Sequence, residues 1–318
     1  MSVRKFPDEF GLSLVVSPAV FGRQKELEKE EMPSDPPCHL YIVSQQPRLS
    51  FAPNSAHFEG GEFRCIFRVQ EMGEFAEFPV TLTVDTGGRR LEVKSEWPYD
   101  EFKVVDTNTG RDVFKAPVAL FVHHVKSEGW PDIAYNQEIL YIGQAFGKAG
   151  ERTAFDRLKS HATLQRIYSE VRADKEIWLS LCSISDVAML QSMAPPRIPV
   201  SIANEDANKE RRTEMLRWYY SGEFRDKEAV ALAEAALIRY FQPEYNKIFR
   251  DNFPDPAHVS SRKCYDLEIN TLAIELHGYL IDTRYWSSTI EPNTLHVQAF
   301  PLFSEQDRKN MFDMFGND

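Results

Sequence analysis

At 318 residues, 42% hydrophobic and 27% charged, the chain has the composition of an ordinary folded soluble protein with room for two or three units. It has no run of 18 apolar residues that could span a membrane, and Cys38, Cys65, Cys182 and Cys264 form no Cys-x-x-Cys pair, so reduced thiols in a cytoplasm fit better than a cysteine zinc site. The net charge of −11 is uneven: 13 basic and 19 acidic side chains in 1–112, 19 and 18 in 113–250, 5 and 11 in 251–318, which leaves only the centre for a phosphate-binding surface.

The opening stretch MSVRKFPDEFGLSLVVSPAVFG has a basic pair, but Asp8 and Glu9 interrupt it before an apolar run forms, so no signal peptide is expected. KELEKEEMPSDPP reads as a short helix or linker. FRCIFRVQ and FPVTLTVD predict strands, and DTGGRR between LTV and LEV predicts a hairpin turn. VALFVHHV and EILYIG predict two strands joined by KSEGWPDIAYNQ, followed by a helix over 151–172, a strand at EIWLSLCSI and a loop at APPRIPVSIANED. Two helices are expected near 207–221 and 226–242, the second stopped by Pro243. After Phe253, LEINTLAIEL and TLHVQAFPLF predict strands, and SEQDRKNMFDMF a short closing helix. The divisions are a mainly-β N-terminal domain (1–112) for recognition or regulation, a central domain (113–250) and a β-rich extension (251–318).

Two helical faces carry chemistry. Glu234, Leu237, Ile238 and Phe241 fall at i, i+3, i+4 and i+7, so a carboxylate shares an otherwise apolar stripe. It loses hydration there and needs a cation, either an Arg at the rim or a metal in a cleft. Arg157, His161, Leu164 and Tyr168 share another face, a solvated surface or a guanidinium-based phosphate clamp.

Tyr141-Ile142-Gly143, then Arg157 with His161, then Glu234 followed by Asn246 together resemble the GIY-YIG endonuclease superfamily, over residues 117–250. The resemblance implies an α+β fold: a small antiparallel β-sheet flanked by helices, here between a mainly-β domain and a β-rich extension. It also implies a metal-dependent endonuclease that hydrolyses phosphodiester bonds in DNA, in defence against foreign DNA or in DNA processing, with Mg²⁺ or Mn²⁺ as cofactor. By the same resemblance Tyr141 positions water or phosphate, Arg157 stabilises charge on phosphorus, and His161 stands one turn on. Glu234 is the metal ligand and Asn246 its polar companion. The first signature, Gly-Ile-Tyr, is absent as such; strand position puts it on Ala119-Leu120-Phe121, and a phenyl ring cannot accept a proton. His123, on the same strand face, or Tyr135 is the substitute base.

Lys148 and, in NKERRTEMLRWYY, Arg211 and Arg212 beside Trp218 and Tyr219 are further candidate nucleic-acid contacts. The alternative reading is a degenerate module that binds nucleic acid or protein without cutting, its acidic flanks meeting a protein partner; no membrane partner is expected. VDTGG holds a single Asp-Thr-Gly and is better explained as a turn. GQAFGKA lacks the spacing and the hydroxyl of a P-loop, and His258, His277 and His296 show no ligand spacing.

Overall fold

Long strands with little exposed surface organise the molecule, a computed structural model that describes residues 4–28, 37–125, 130–144, 162–193, 200–201, 205–221 and 224–312. The main sheet comprises β1 (Asp8–Gly22), β2 (Leu40–Phe51), β9 (Asn136–Gln144), β10 (Lys175–Met193), β11 (Thr271–His277), β12 (Arg284–Ser287), β13 (Ile290–Asn293) and β14 (Leu295–Pro301), in the order β13-β12-β9-β2-β10-β1-β11-β14. One residue, Thr294, separates β13 from β14, so the two ends of this order lie side by side. His296 on β14 reaches across, its Nε2 2.9 Å from the carbonyls of both Tyr285 and Asn293; two acceptors there require Nε2 to carry the proton.

This nearly closed, mixed, barrel-like sheet, with 45% of the described residues in strand and 25% in helix, overturns the expected small antiparallel sheet flanked by helices. Its physical basis is long-range pairing. β1 runs antiparallel to β10 and parallel to β11, so segments 1–112, 113–250 and 251–318 all supply strands to one sheet. Pro18, which has no N–H to give, lies at a register shift in the β1–β10 ladder. Among the described residues no helix is long and apolar enough to cross a membrane.

The inner face of the barrel is filled by a helix, α5 (Ala229–Phe241). Nine of its thirteen residues are buried, and they cluster with side chains from β1, β2, β9, β10, β11, β12 and β14. A helix apolar on nearly every side belongs in an interior, where Val230, Leu232, Leu237, Ile238 and Phe241 each contribute about 1.5–3 kcal/mol of gross transfer energy. The outer face around Tyr41, Val43, Leu179 and Leu181 is covered by α3 (Ala162–Glu170), through Leu164 and Ile167.

β2 leaves the barrel at Pro47 and continues alongside β4 (Glu62–Glu71), carrying a satellite unit. There β3 (His57–Glu59), β4 and β5 (Glu74–Thr83) face a separate three-stranded sheet of β6 (Leu91–Lys94), β7 (Glu101–Asp106) and β8 (Asp112–Pro117), around a second, aromatic core. DTGGRR therefore connects β5 to β6 in a different sheet and does not close a hairpin. VALFVHHV is α2 (Val118–His124), not a strand: Pro117 sits extended at its N-cap, and Val118, Ala119, Phe121 and Val122 are buried at helical spacing in the aromatic core.

The expected closing helix is replaced by turns over the described residues 304–312. These turns are pinned by Arg308, whose guanidinium is buried against the Glu9 carboxylate and also pairs with Glu268 at 2.9 Å. The four cysteines are free and buried, and burial pushes the Cys38 thiol up to about 11 and the Cys65 thiol up to about 12.

Candidate functional site

The LYIG segment forms the C-terminal half of β9, whose antiparallel neighbour is β2, with Tyr41 opposite Gly143 and Val43 opposite Tyr141. A bulge in this ladder leaves Leu140 as the extra residue, which turns Leu140 and Tyr141 to the outer face while Ile139 and Ile142 keep to the inner one. Tyr41 and Tyr141 therefore lie side by side outside the barrel, ring centroids 6.0 Å apart. Gly143 makes this possible. A Cβ there would stand 2.5 Å from the Tyr41 hydroxyl oxygen and 2.8 Å from Cε1 of Tyr141, closer than any side chain tolerates. Tyr141 is half-buried, and Tyr41 is fully buried behind it.

Tyr41 is the residue that sequence reasoning missed. The partner strand of LYIG is HLYIVSQQP, not VALFVHHV, so the aromatic position beside Tyr141 holds a tyrosine and not Phe121. The repeated Leu-Tyr-Ile in the two segments is the signal that was available. Phe121 is instead a core residue of the satellite unit, ringed by Phe63, Phe102, Phe114 and Trp130. His123 is on a helix, not a strand, its Nδ1 3.2 Å from the Ile281 carbonyl and its ring against Phe21 and Tyr135, away from the core that contains Tyr141. Tyr135 lies in a short 3₁₀ turn, Asp132–Tyr135, where burial pushes its hydroxyl up to about 12.

Asn246 does meet the LYIG strand. Beyond Glu138, β9 has no strand partner on its β12 side among the described residues, and the chain leaving α5 fills that edge. The Tyr245 N–H donates to the Leu140 carbonyl at 3.1 Å. The Asn246 amide accepts from the Ile142 N–H at 2.9 Å and donates to the Ile142 carbonyl at 2.8 Å, copying one rung of a ladder. Both ends of its amide bond the same backbone residue, so Asn246 fastens the strand edge. Tyr245 then reaches the outer face, donating its hydroxyl to Glu170 on α3 at 2.7 Å under the guanidinium of Arg166.

Glu234 sits on α5, half-buried, among the helix positions of Val230, Leu237, Ile238 and Phe241. Because α5 packs on the inner face and both tyrosines belong to the outer one, one face of the sheet cannot present all three. Among the described residues no three His, Cys, Asp or Glu converge on a common point. A single carboxylate still suits Mg²⁺, which keeps several waters and takes one or two protein oxygens. Arg157, His161 and Lys148 lie outside the described residues; α3 begins at Ala162, directly after His161.

The basic segment of α4 (Glu205–Tyr219) is split: Lys209, Arg212 and Arg217 are exposed, whereas Arg211 turns inward. Arg211 is buried, donating to the carbonyls of Asp8 and Glu268 and lying 3.9 Å over the Phe6 ring, where desolvation lowers its pKa to about 10. Trp218 donates to Glu228, and Tyr219 to the Val187 carbonyl at 2.7 Å. His296, beyond its two carbonyl contacts, lies 3.2 Å through Nδ1 from the Tyr240 hydroxyl, a structural role like that expected for it. No model of a known protein family, no curated protein and no solved structure matches the chain.

Proposed function

We propose that the rim of the barrel at the end of β9 is a phosphodiester-hydrolysing site, and that the protein is a metal-dependent endonuclease acting on DNA. The observation that carries this reading is the tyrosine pair: Tyr41 and Tyr141 on adjacent antiparallel strands, with Gly143 as the only residue type that lets the two rings share the strand end. Tyr141, the more accessible of the pair, orients the attacking water or a phosphate oxygen, and Tyr41 holds its ring in place. Arg157 and His161 directly precede α3, the helix that packs on the tyrosine face, so they are the residues assigned to the developing charge on phosphorus. Glu234 would hold the Mg²⁺ or Mn²⁺, and that ion would supply charge neutralisation at the phosphoryl oxygens.

Full burial of Tyr41 and the inner-face seat of Glu234 favour a second reading, a module that binds nucleic acid without cutting it. Plasmid, duplex and single-stranded DNA incubated with Mg²⁺, Mn²⁺ or EDTA separate the two. Under the first reading the wild type cuts in either metal and not in EDTA. Glu234→Ala then stops cutting, and Arg157→Ala lowers the rate by about 10²–10³. Binding without cutting, unaltered by Glu234→Ala, replaces the enzyme with the binding module. Absence of both binding and cutting removes nucleic acid as the partner.

A further inference from the structure

The satellite unit encloses space that its own side chains leave unfilled. Between the β4–β5 hairpin and the three-stranded sheet lies a cavity of about 420 Å³, open on one side. Protein interiors are packed to the density of organic crystals, with few voids larger than a water. The volume falls within the range of pockets that take small organic molecules, roughly 300–1,000 Å³.

The lining has a defined chemistry. Phe121 of α2 forms the floor, with Phe102 at 4.9 Å and Phe63 at 5.5 Å, both edge-on. Phe114 on the edge strand β8 forms a wall 6.0 Å from Phe121 and is 40% exposed, while Val113 beside it at the opening is 42% exposed. The surfaces that these rings turn to the cavity suit another ring. The rim is polar and comes from the DTGGR turn. There the Gly87 N–H donates to Asp85 Oδ1 at 2.8 Å and the Arg89 N–H donates to the Thr86 carbonyl at 3.1 Å, which shapes the loop over the opening. Asp85 is thereby engaged with its own turn. The Arg89 guanidinium makes no ion pair or side-chain hydrogen bond among the described residues, although it lines the cavity of an acidic protein.

We propose that this cavity is a binding site for a small planar apolar acid, its ring enclosed by Phe63, Phe114 and Phe121 and its anionic group met by Arg89. The site shares none of its lining residues with the tyrosine face. Its existence therefore does not depend on whether that face cleaves phosphodiesters.

1-Anilinonaphthalene-8-sulfonate, a fused aromatic ring carrying one anion, is the probe, titrated against the full chain with fluorescence as the readout. Circular dichroism confirms that every variant is folded. A single saturable site is expected. Val113→Trp, which blocks the opening from an exposed position on an edge strand, weakens binding by about tenfold or more. Arg89→Gln weakens the sulfonate by roughly fivefold or more and leaves the uncharged N-phenyl-1-naphthylamine unchanged. Fluorescence that does not saturate, or saturable binding indifferent to Val113→Trp, overturns the site. Equal loss of the charged and uncharged probes in Arg89→Gln, or loss of neither, overturns the role of Arg89 and with it the assignment of an acid.

Discussion

The barrel and its satellite solve the same problem, covering apolar strands, in opposite ways. In the barrel, several polar groups are held by directional contacts: Asn246 against the Ile142 backbone, His296 against two carbonyls, Arg308 against Glu9. Close approaches there leave no slack, as at Gly143. In the satellite, aromatic rings enclose an opening, and the turn at its rim includes Gly87 and Gly88, which have open space around them and need glycine only for their positive φ of 59° and 74°. The contrast teaches where each unit tolerates change. The barrel's specificity rests on directional contacts that fail singly, whereas the satellite's rests on bulk apolar area and leaves room for something else.

Asn246→Leu tests the contrast most severely. It removes both partners of a buried N–H and C=O on β9 and is expected to cost about 2–4 kcal/mol in urea unfolding. A change smaller than about 0.5 kcal/mol would show that the edge of β9 finds other partners. Gly143→Ala comes next, at about 1–3 kcal/mol from overpacking against Tyr41. The same substitution made in a Tyr41→Leu chain should cost measurably less, because the closest atoms it strikes, those of the Tyr41 phenol, are gone and only the Tyr141 ring edge remains. Additive costs would mean that the tyrosine ring is not what makes the glycine necessary.

A smaller, graded effect belongs to His296. Burial lowers its pKa in the folded protein below the ordinary value of 6.5. The unfolded chain then binds the extra proton first, so this contribution is intact above about 6.5 and is lost as the pH falls below it. His296→Gln should flatten that part of a stability-against-pH curve, and an unchanged slope would assign it to other groups. The least effect is expected in the satellite: Phe114→Leu, beside open space, should cost less than about 1.5 kcal/mol. A loss as large as that of Asn246→Leu would erase the distinction between the two units.

Local patterns in the sequence reveal much of this and conceal the rest for a physical reason. EILYIG, EIWLSLCSI and TLHVQAFPLF are strands as their alternation and β-branched content indicate, and Pro243 does follow α5 by two residues. VALFVHHV has the same β-branched look, yet Pro117 and the aromatic core select a helix, an instance of tertiary packing overriding propensity. The tyrosine beside Tyr141 was sought in the next strand upstream, but Tyr41 is a hundred residues away, across the whole satellite. Pairing at that separation leaves no periodic trace, and neither does the parallel contact of β1 with β11 within the main sheet. Arg211 was misjudged because a helix with basic residues on several sides does not announce which one turns inward; Phe6 and the carbonyls of Asp8 and Glu268 decide it.

The position of β1 between β10 and β11 also sets a schedule for synthesis. At 5–20 residues per second, β10 leaves the ribosome roughly 8–30 s after β1, and β11 roughly 12–50 s after it. During that interval β1 is a long apolar strand with both edges bare, the kind of segment that pairs with other chains. Slowed elongation after β1 would lengthen the interval in which its edges are open to other chains.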